Sequence, residues 1–138
     1  MKKEETKETI TALLFEVGKY PRMVEIDHGL EGLQNAVGGY IEQCSLFDEV
    51  AIICDDDGKI KGKPLNRAIY DDSGEMIDII AGDFLIVYAP ATSTTYESLP
   101  PELSRKYAVK FRYPERFCRI AGEILAIPYQ PAVTDPEG

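Results

Sequence analysis

Residues 50–61 read Val50-Ala51-Ile52-Ile53-Cys54-Asp55-Asp56-Asp57-Gly58-Lys59-Ile60-Lys61, and how they fold decides the fold class. An unbroken apolar run from Val50 to Cys54 predicts a strand buried on both faces. Three acids and a glycine end it. Asp57-Gly58 is a favoured two-residue turn pair, so the spacing predicts a tight hairpin returning through Lys59 to Lys61.

A buried strand needs neighbours, and the flanking sequence supplies them. Upstream, Ile10 to Val17 is rich in β-branched and aromatic residues and ends at Gly18, which predicts a strand. Lys19-Tyr20-Pro21 turns the chain, and Arg22 to Ile26 alternates polar and apolar residues as an antiparallel return strand does. Asp27 offers a helix cap, Leu30, Leu33 and Val37 form one apolar stripe, and Gly38-Gly39 ends the helix. Tyr40 to Ser45 reads as a further strand.

Downstream, Gly62 to Arg67 reads as an ordered loop and Asp71 to Gly74 as a turn. Ile77 to Ala81 and Phe84 to Tyr88 read as strands of a second hairpin closed by Gly82-Asp83. Pro90 to Pro100, rich in Thr, Ser and Pro, reads as a mobile connection. Pro101 suits a first helical turn, Leu103, Tyr107 and Phe111 share one helix face, and Pro114 stops the helix. Arg119 to Pro128 holds a last strand, with a short helix through Ile120 and Ile124 as the alternative. The expected fold is therefore α+β: a mixed, mainly antiparallel sheet covered by one helix, with a C-terminal helical attachment. Its expected organisation is a disordered start (1–9), a core (10–89), a linker (90–100), a C-terminal helix and final strand packed on the core (101–130), and a flexible tail (131–138).

With 138 residues, 44% hydrophobic and 28% charged, the chain has the size and composition of one folded domain. No signal peptide and no apolar run of membrane-spanning length occurs, so the expected location is the cytoplasm. Cys44, Cys54 and Cys118 lack C-x-x-C spacing and read as buried small hydrophobes. The net charge of −9 is uneven. Glu42 to Asp57 holds six acids and Asp71 to Asp83 five, with no base in either. Between Glu102 and Arg119, by contrast, Arg105, Lys106, Lys110, Arg112, Arg116 and Arg119 face only Glu102 and Glu115. The preferred reading is solvated faces that complement one another, and the functional one is a basic docking patch.

No catalytic residue, cofactor or metal site is expected. Aligning Gly58 with the sixth position of a calcium loop puts Ile53 first and Pro64 twelfth, where acids are required. His28 is the only histidine and has no partner nucleophile, so its expected role is structural. Nucleophile-elbow, P-loop and dinucleotide motifs are absent. A candidate pocket for a small anionic ligand combines Tyr40, Lys63, Asn66 and Arg67, with Arg67 as a fork for an anion, Asn66 as an amide and Tyr40 as a stacking ring. The competing reading gives Asn66 and Arg67 to the backbone and nearby acids.

Several short motifs in order carry a resemblance: Val17-Gly18-Lys19-Tyr20-Pro21, Leu33-Gln34, Val37-Gly38-Gly39-Tyr40-Ile41-Glu42, Cys54, Asp57-Gly58-Lys59, Pro64-Leu65-Asn66-Arg67, Ile79-Ile80-Ala81-Gly82 and Phe84-Leu85-Ile86-Val87. Over roughly residues 12–88 the chain resembles the domain-of-unknown-function family numbered 3846. Asp55-Asp56 departs from the family, which often has Asn and Glu there. The resemblance implies a setting in gut Firmicutes, their phages or conjugative elements, and no catalytic residues. The expected function is a non-enzymatic module that contacts an unidentified protein partner, with interference in a host process as its role. An anionic-ligand sponge or sensor and a nucleic-acid contact through the basic stretch are the alternatives, the latter disfavoured by net charge.

Overall fold

The computed structural model describes residues 9–27, 29–46 and 48–132. Of the expected disordered start, Thr9 opens a strand and the rest lies outside the described residues, as do His28 and residues 133–138 of the expected tail. The elements run β1 (Thr9–Phe15), β2 (Arg22–Asp27), α1 (Leu30–Val37), β3 (Ile41–Ser45), β4 (Val50–Asp55), β5 (Leu65–Tyr70), β6 (Met76–Ala81), β7 (Phe84–Tyr88), α2 (Pro101–Lys110), β8 (Glu115–Ile120) and β9 (Glu123–Pro128). This is a mixed α+β architecture. Five strands form an antiparallel sheet in the order β2-β1-β7-β4-β3, while β5-β6 and β8-β9 are separate two-stranded sheets.

The run at Val50 does what its composition requires: β4 is buried along its whole length between β3 and β7. Successive side chains of a strand serve opposite faces. On one face Ala51 and Ile53 cluster with Ile10, Ala12, Leu85, Val87 and, from α1, Leu33 and Val37. On the other, Val50, Ile52 and Cys54 join Leu13, Phe15, Phe84 and Ile86 with Ile69 and Ile80 of the β5-β6 hairpin and Tyr107, Ala108 and Phe111 of α2. Phe15 stacks on Phe84 with ring centroids 4.7 Å apart and meets Phe111 edge-on at 5.9 Å, which ties α2 to the sheet.

Both expected hairpins turn out to be passages between sheets. After Asp55 the chain runs through turns over 56–62 and does not pair back on β4, whose two edges are already taken. The buried Asp55 carboxylate accepts the Asp57 N–H at 2.9 Å and folds the loop on itself. Gly82, with φ +84°, likewise leads from β6, paired with β5, into β7, paired with β1 and β4. Only a residue tolerant of the left-handed region makes that corner cheaply.

Other expectations shift as well. Leu65 opens β5, so Asn66 and Arg67 lie in a strand and not in the expected loop. Gly29 is the N-cap residue of α1, and Asp27, expected there, is the last residue of β2. Leu30 is exposed although the stripe placed it inward. Residues 119–128 form no helix, because β9 pairs with β8, a strand the sequence reading did not anticipate. The expected linker carries a bridge between Tyr88 and Glu97 and a buried Leu99, whose N–H donates to Thr11 O at 2.9 Å.

Candidate functional site

Lys63 and Arg67 flank a short segment, and each reaches the C-terminus of a different helix. The last carbonyls of a helix lack intrahelical partners and carry the negative end of its dipole, so cations settle there. Lys63 Nζ donates to Val37 O at 3.0 Å and Gly38 O at 3.3 Å, closing α1, and lies 2.7 Å from Asp55 Oδ2. Arg67 closes α2: its Nε donates to Phe111 O at 2.9 Å and its Nη2 to Lys19 O at 2.9 Å and Arg112 O at 3.4 Å. Asn66 locks this arrangement by donating to Phe15 O and Gly82 O, both at 2.8 Å, while its Oδ1 accepts from Arg67 Nη1 at 2.8 Å.

Arg67 is 0% exposed and is the largest fully buried side chain among the described residues. Burial pushes its pKa down to about 10, against the pull of Glu115, so the guanidinium is charged at neutral pH. Its Cζ lies 5.6 Å from the Phe15 ring centroid. Glu115 Oε1 accepts the Ala68 N–H at 2.8 Å, and burial raises this carboxyl's pKa despite that bond and Arg67. Asp55 shows the opposite balance. Burial raises its pKa, but hydrogen bonds from Lys63, Lys61 and the Asp57 amide outweigh this and hold the carboxyl at about 2. A Cβ at Gly39 would stand 2.6 Å from Asp55 Oδ1, so the glycine makes room for the cluster.

The four residues of the candidate ligand pocket are therefore not gathered at one opening. Asn66 and Arg67 have their polar atoms on the chain's own groups, and Tyr40 is 73% exposed. Lys63 lines a cavity of ≈ 410 Å³ with Val37, Gly38, Pro64 and Gly82, which Tyr40, Asn66 and Arg67 do not line. A guanidinium without exposed surface offers a ligand nothing.

The basic residues are distributed along α2 and the chain after it. Arg105, Lys106 and Lys110 are exposed on α2, with Lys106 paired to Asp48. Arg112 lies over the rings of Tyr20 and Tyr113, Arg116 lies 4.2 Å from the Tyr129 ring centroid, and Arg119 is exposed on β8. Alongside them the structure exposes Ile120, Ile124, Leu125 and Ile127, which the sequence reading missed. The apolar run Ile124 to Ile127 signalled a strand, but nothing in it showed that both faces of the central sheet would already be filled. Cys118 is exposed, not buried as expected. Cys54 is buried and Cys44 half-buried, and burial first, then Cys44 and Glu42, pushes the Cys54 thiol up to about 12.

Among the described residues no cluster of His, Cys, Asp or Glu could hold a metal ion, and no helix is long and apolar enough to cross a membrane. Neither a curated protein nor a solved structure matches the chain. The model of one family, described as a domain of unknown function, DUF3846, matches residues 10–112. That span runs from β1 through α2 and ends at Arg112, the last carbonyl that Arg67 holds, so the double helix clamp lies wholly inside it while β8-β9 lies outside. The chain belongs to the DUF3846 family.

Proposed function

We propose that the chain is a non-enzymatic binding module that docks an acidic protein partner on the β8-β9 hairpin. The observation that carries this reading is one face of the hairpin, where the register brings exposed Ile120, Leu125 and Ile127 together beside Arg116. Apolar side chains rimmed by charge have the composition of a contact surface. From Pro101 to Ala132 six bases stand against three acids, Glu102, Glu115 and Glu123, in a chain of net charge −9. This region attracts an acidic partner that the rest of the molecule repels. The exposed apolar residues favour a protein over nucleic acid, whose backbone is recognised chiefly through charge. That the partner is a cytoplasmic host protein, in a phage or conjugative-element setting, is part of the same proposal and rests on the resemblance.

The test is affinity capture from host lysate with the native chain and with a Leu125→Ser/Ile127→Ser variant, read by quantitative mass spectrometry. An acidic protein enriched by the native chain and reduced about tenfold on the variant is expected. If the variant, folded to the same melting temperature, retains the same proteins, the hairpin is not the docking surface.

A further inference from the structure

We propose that β3 accepts an extended peptide of alternating apolar and basic residues as an added strand of the central sheet. The strand order ends at β3, and among the described residues nothing pairs with its outer edge. Open edges invite pairing, and proteins usually blunt them with charges, proline or bulges. At the opposite margin β2 carries Arg22, Glu25 and Asp27. β3 is Ile41-Glu42-Gln43-Cys44-Ser45, with one charge and no glycine or proline, and its register with β4 is unbroken.

Each face of this edge is flanked by a cavity. Ile41 and Gln43 line one of ≈ 500 Å³ with Leu30, Leu33, Pro90 and Tyr96, and the Tyr96 hydroxyl holds Gln43 Oε1. Glu42 lines the other, of ≈ 290 Å³, with Asp56, Lys59, Asp78 and Ile79. An added strand sends alternate side chains to opposite faces, so main-chain bonds supply affinity and the two cavities select the sequence. The first cavity, where Ser93, Thr94 and Thr95 complete a lining without a charged residue, admits an uncharged side chain such as valine and gives a charged one no partner. On the second, Asp78 is paired with Lys59 at 2.8 Å, whereas Glu42 and Asp56 have no cationic partner among the described residues, so a lysine or arginine complements it. A second copy of this chain would set its own Glu42 and Asp56 near these acids, with net charge −9 on each copy, which charge repulsion opposes.

The probe is a capped peptide of alternating valine and lysine, titrated into the full isotope-labelled chain and followed by amide chemical shifts and hydrogen exchange. Saturable binding with new protection at alternate β3 amides is expected. Binding should weaken about tenfold or more for a valine–glutamate peptide, for the Glu42→Lys/Asp56→Lys variant, and for a valine–lysine peptide N-methylated at alternate residues, which keeps its charge but cannot pair. Equal binding by the N-methylated peptide, protection elsewhere than β3, or a dimer formed through β3 would overturn the proposal. None of these readouts touches β8-β9, so its outcome is independent of the hairpin.

Discussion

Arg67 and Asp55 are both buried ions, and their surroundings make them respond differently to change. Arg67 donates to three main-chain carbonyls from two separate segments and to Asn66. Arg67→Lys keeps the charge but has no planar fork, so at least one buried carbonyl loses its donor, and a stability loss of about 3 kcal/mol in urea denaturation is expected. Asp55→Asn keeps the shape and removes the charge that Lys61 and Lys63 share, and a loss of about 2 kcal/mol at neutral pH is expected, moderated because both lysines reach water. The pH signature follows from the sign. The folded pKa of Asp55, about 2, lies below its ordinary 3.8, so its contribution is complete above pH ~4 and fades as pH falls towards 2. Glu115 works in the other sense: its folded pKa lies above the ordinary 4.5, so the native state takes up its proton first and stability gains as pH falls through that interval. Urea midpoints between pH 6 and 2 should fall less steeply for Asp55→Asn than for the native chain and should lose the gain in Glu115→Gln. Asn66 and Arg67 were legible in the sequence as unusual. Whether they faced a ligand or the backbone depended on Phe111, forty-four positions away, which no local pattern reports.

At the scale of elements, the sequence showed most strands by their apolar patterns and paired β2 antiparallel with β1 as the structure does, but it misassigned the partners of β4 and of the β6 and β7 strands. Asp57-Gly58 and Gly82-Asp83 have hairpin chemistry, yet β4 and β7 lie side by side in the sheet interior, and their other neighbours are β3 and β1. Turn propensity is worth little against the burial of a strand such as β4 on both faces. Gly82 is where that competition is resolved. Its φ of +84° lets the chain change sheets, its N–H donates to Pro64 O at 2.8 Å, and a Cβ there would stand 2.8 Å from Lys63 Cδ. Gly82→Ala therefore adds a backbone penalty of about 1–2 kcal/mol and presses on the lysine that closes α1. We expect a loss of about 2 kcal/mol in equilibrium unfolding, with faster hydrogen exchange at the α1 C-terminus. Gly74→Ala, also at positive φ but with open space around its Cβ, should show the backbone penalty alone. Strand β8 was hidden because Glu115 to Ile120 is half charged and mostly exposed, so it lacks the burial that makes a strand readable.

For the molecule as a whole, α2 packs its Tyr107, Ala108 and Phe111 into the core beneath the central sheet, so the C-terminal segment and the core should unfold together. These side chains sit in the same cluster as Phe15, Ile52 and Phe84, and Arg67 needs the carbonyls of Phe111 and Arg112. Two truncations separate these contributions. A chain ending at Arg112 keeps the matched domain and every Arg67 acceptor, but loses buried Pro114 and the Glu115 bond to the Ala68 amide. It should fold cooperatively with about 2 kcal/mol less stability. A chain ending at Lys110 loses the Phe111 ring, worth roughly 3–5 kcal/mol in a packed core, and also strips a buried cation of two acceptors, worth a further 3–5 kcal/mol or so. That sum consumes most of the 5–15 kcal/mol typical of a domain, so this chain should lack a cooperative unfolding transition by calorimetry. Phe111→Ala in the full chain is the control, because it removes the ring and leaves the carbonyl in place. If that variant folds while the Lys110 truncation does not, the carbonyls facing Arg67 hold the two ends of the molecule together. If both fold with equal stability, the buried guanidinium is tolerated without them and the clamp is not what closes the domain.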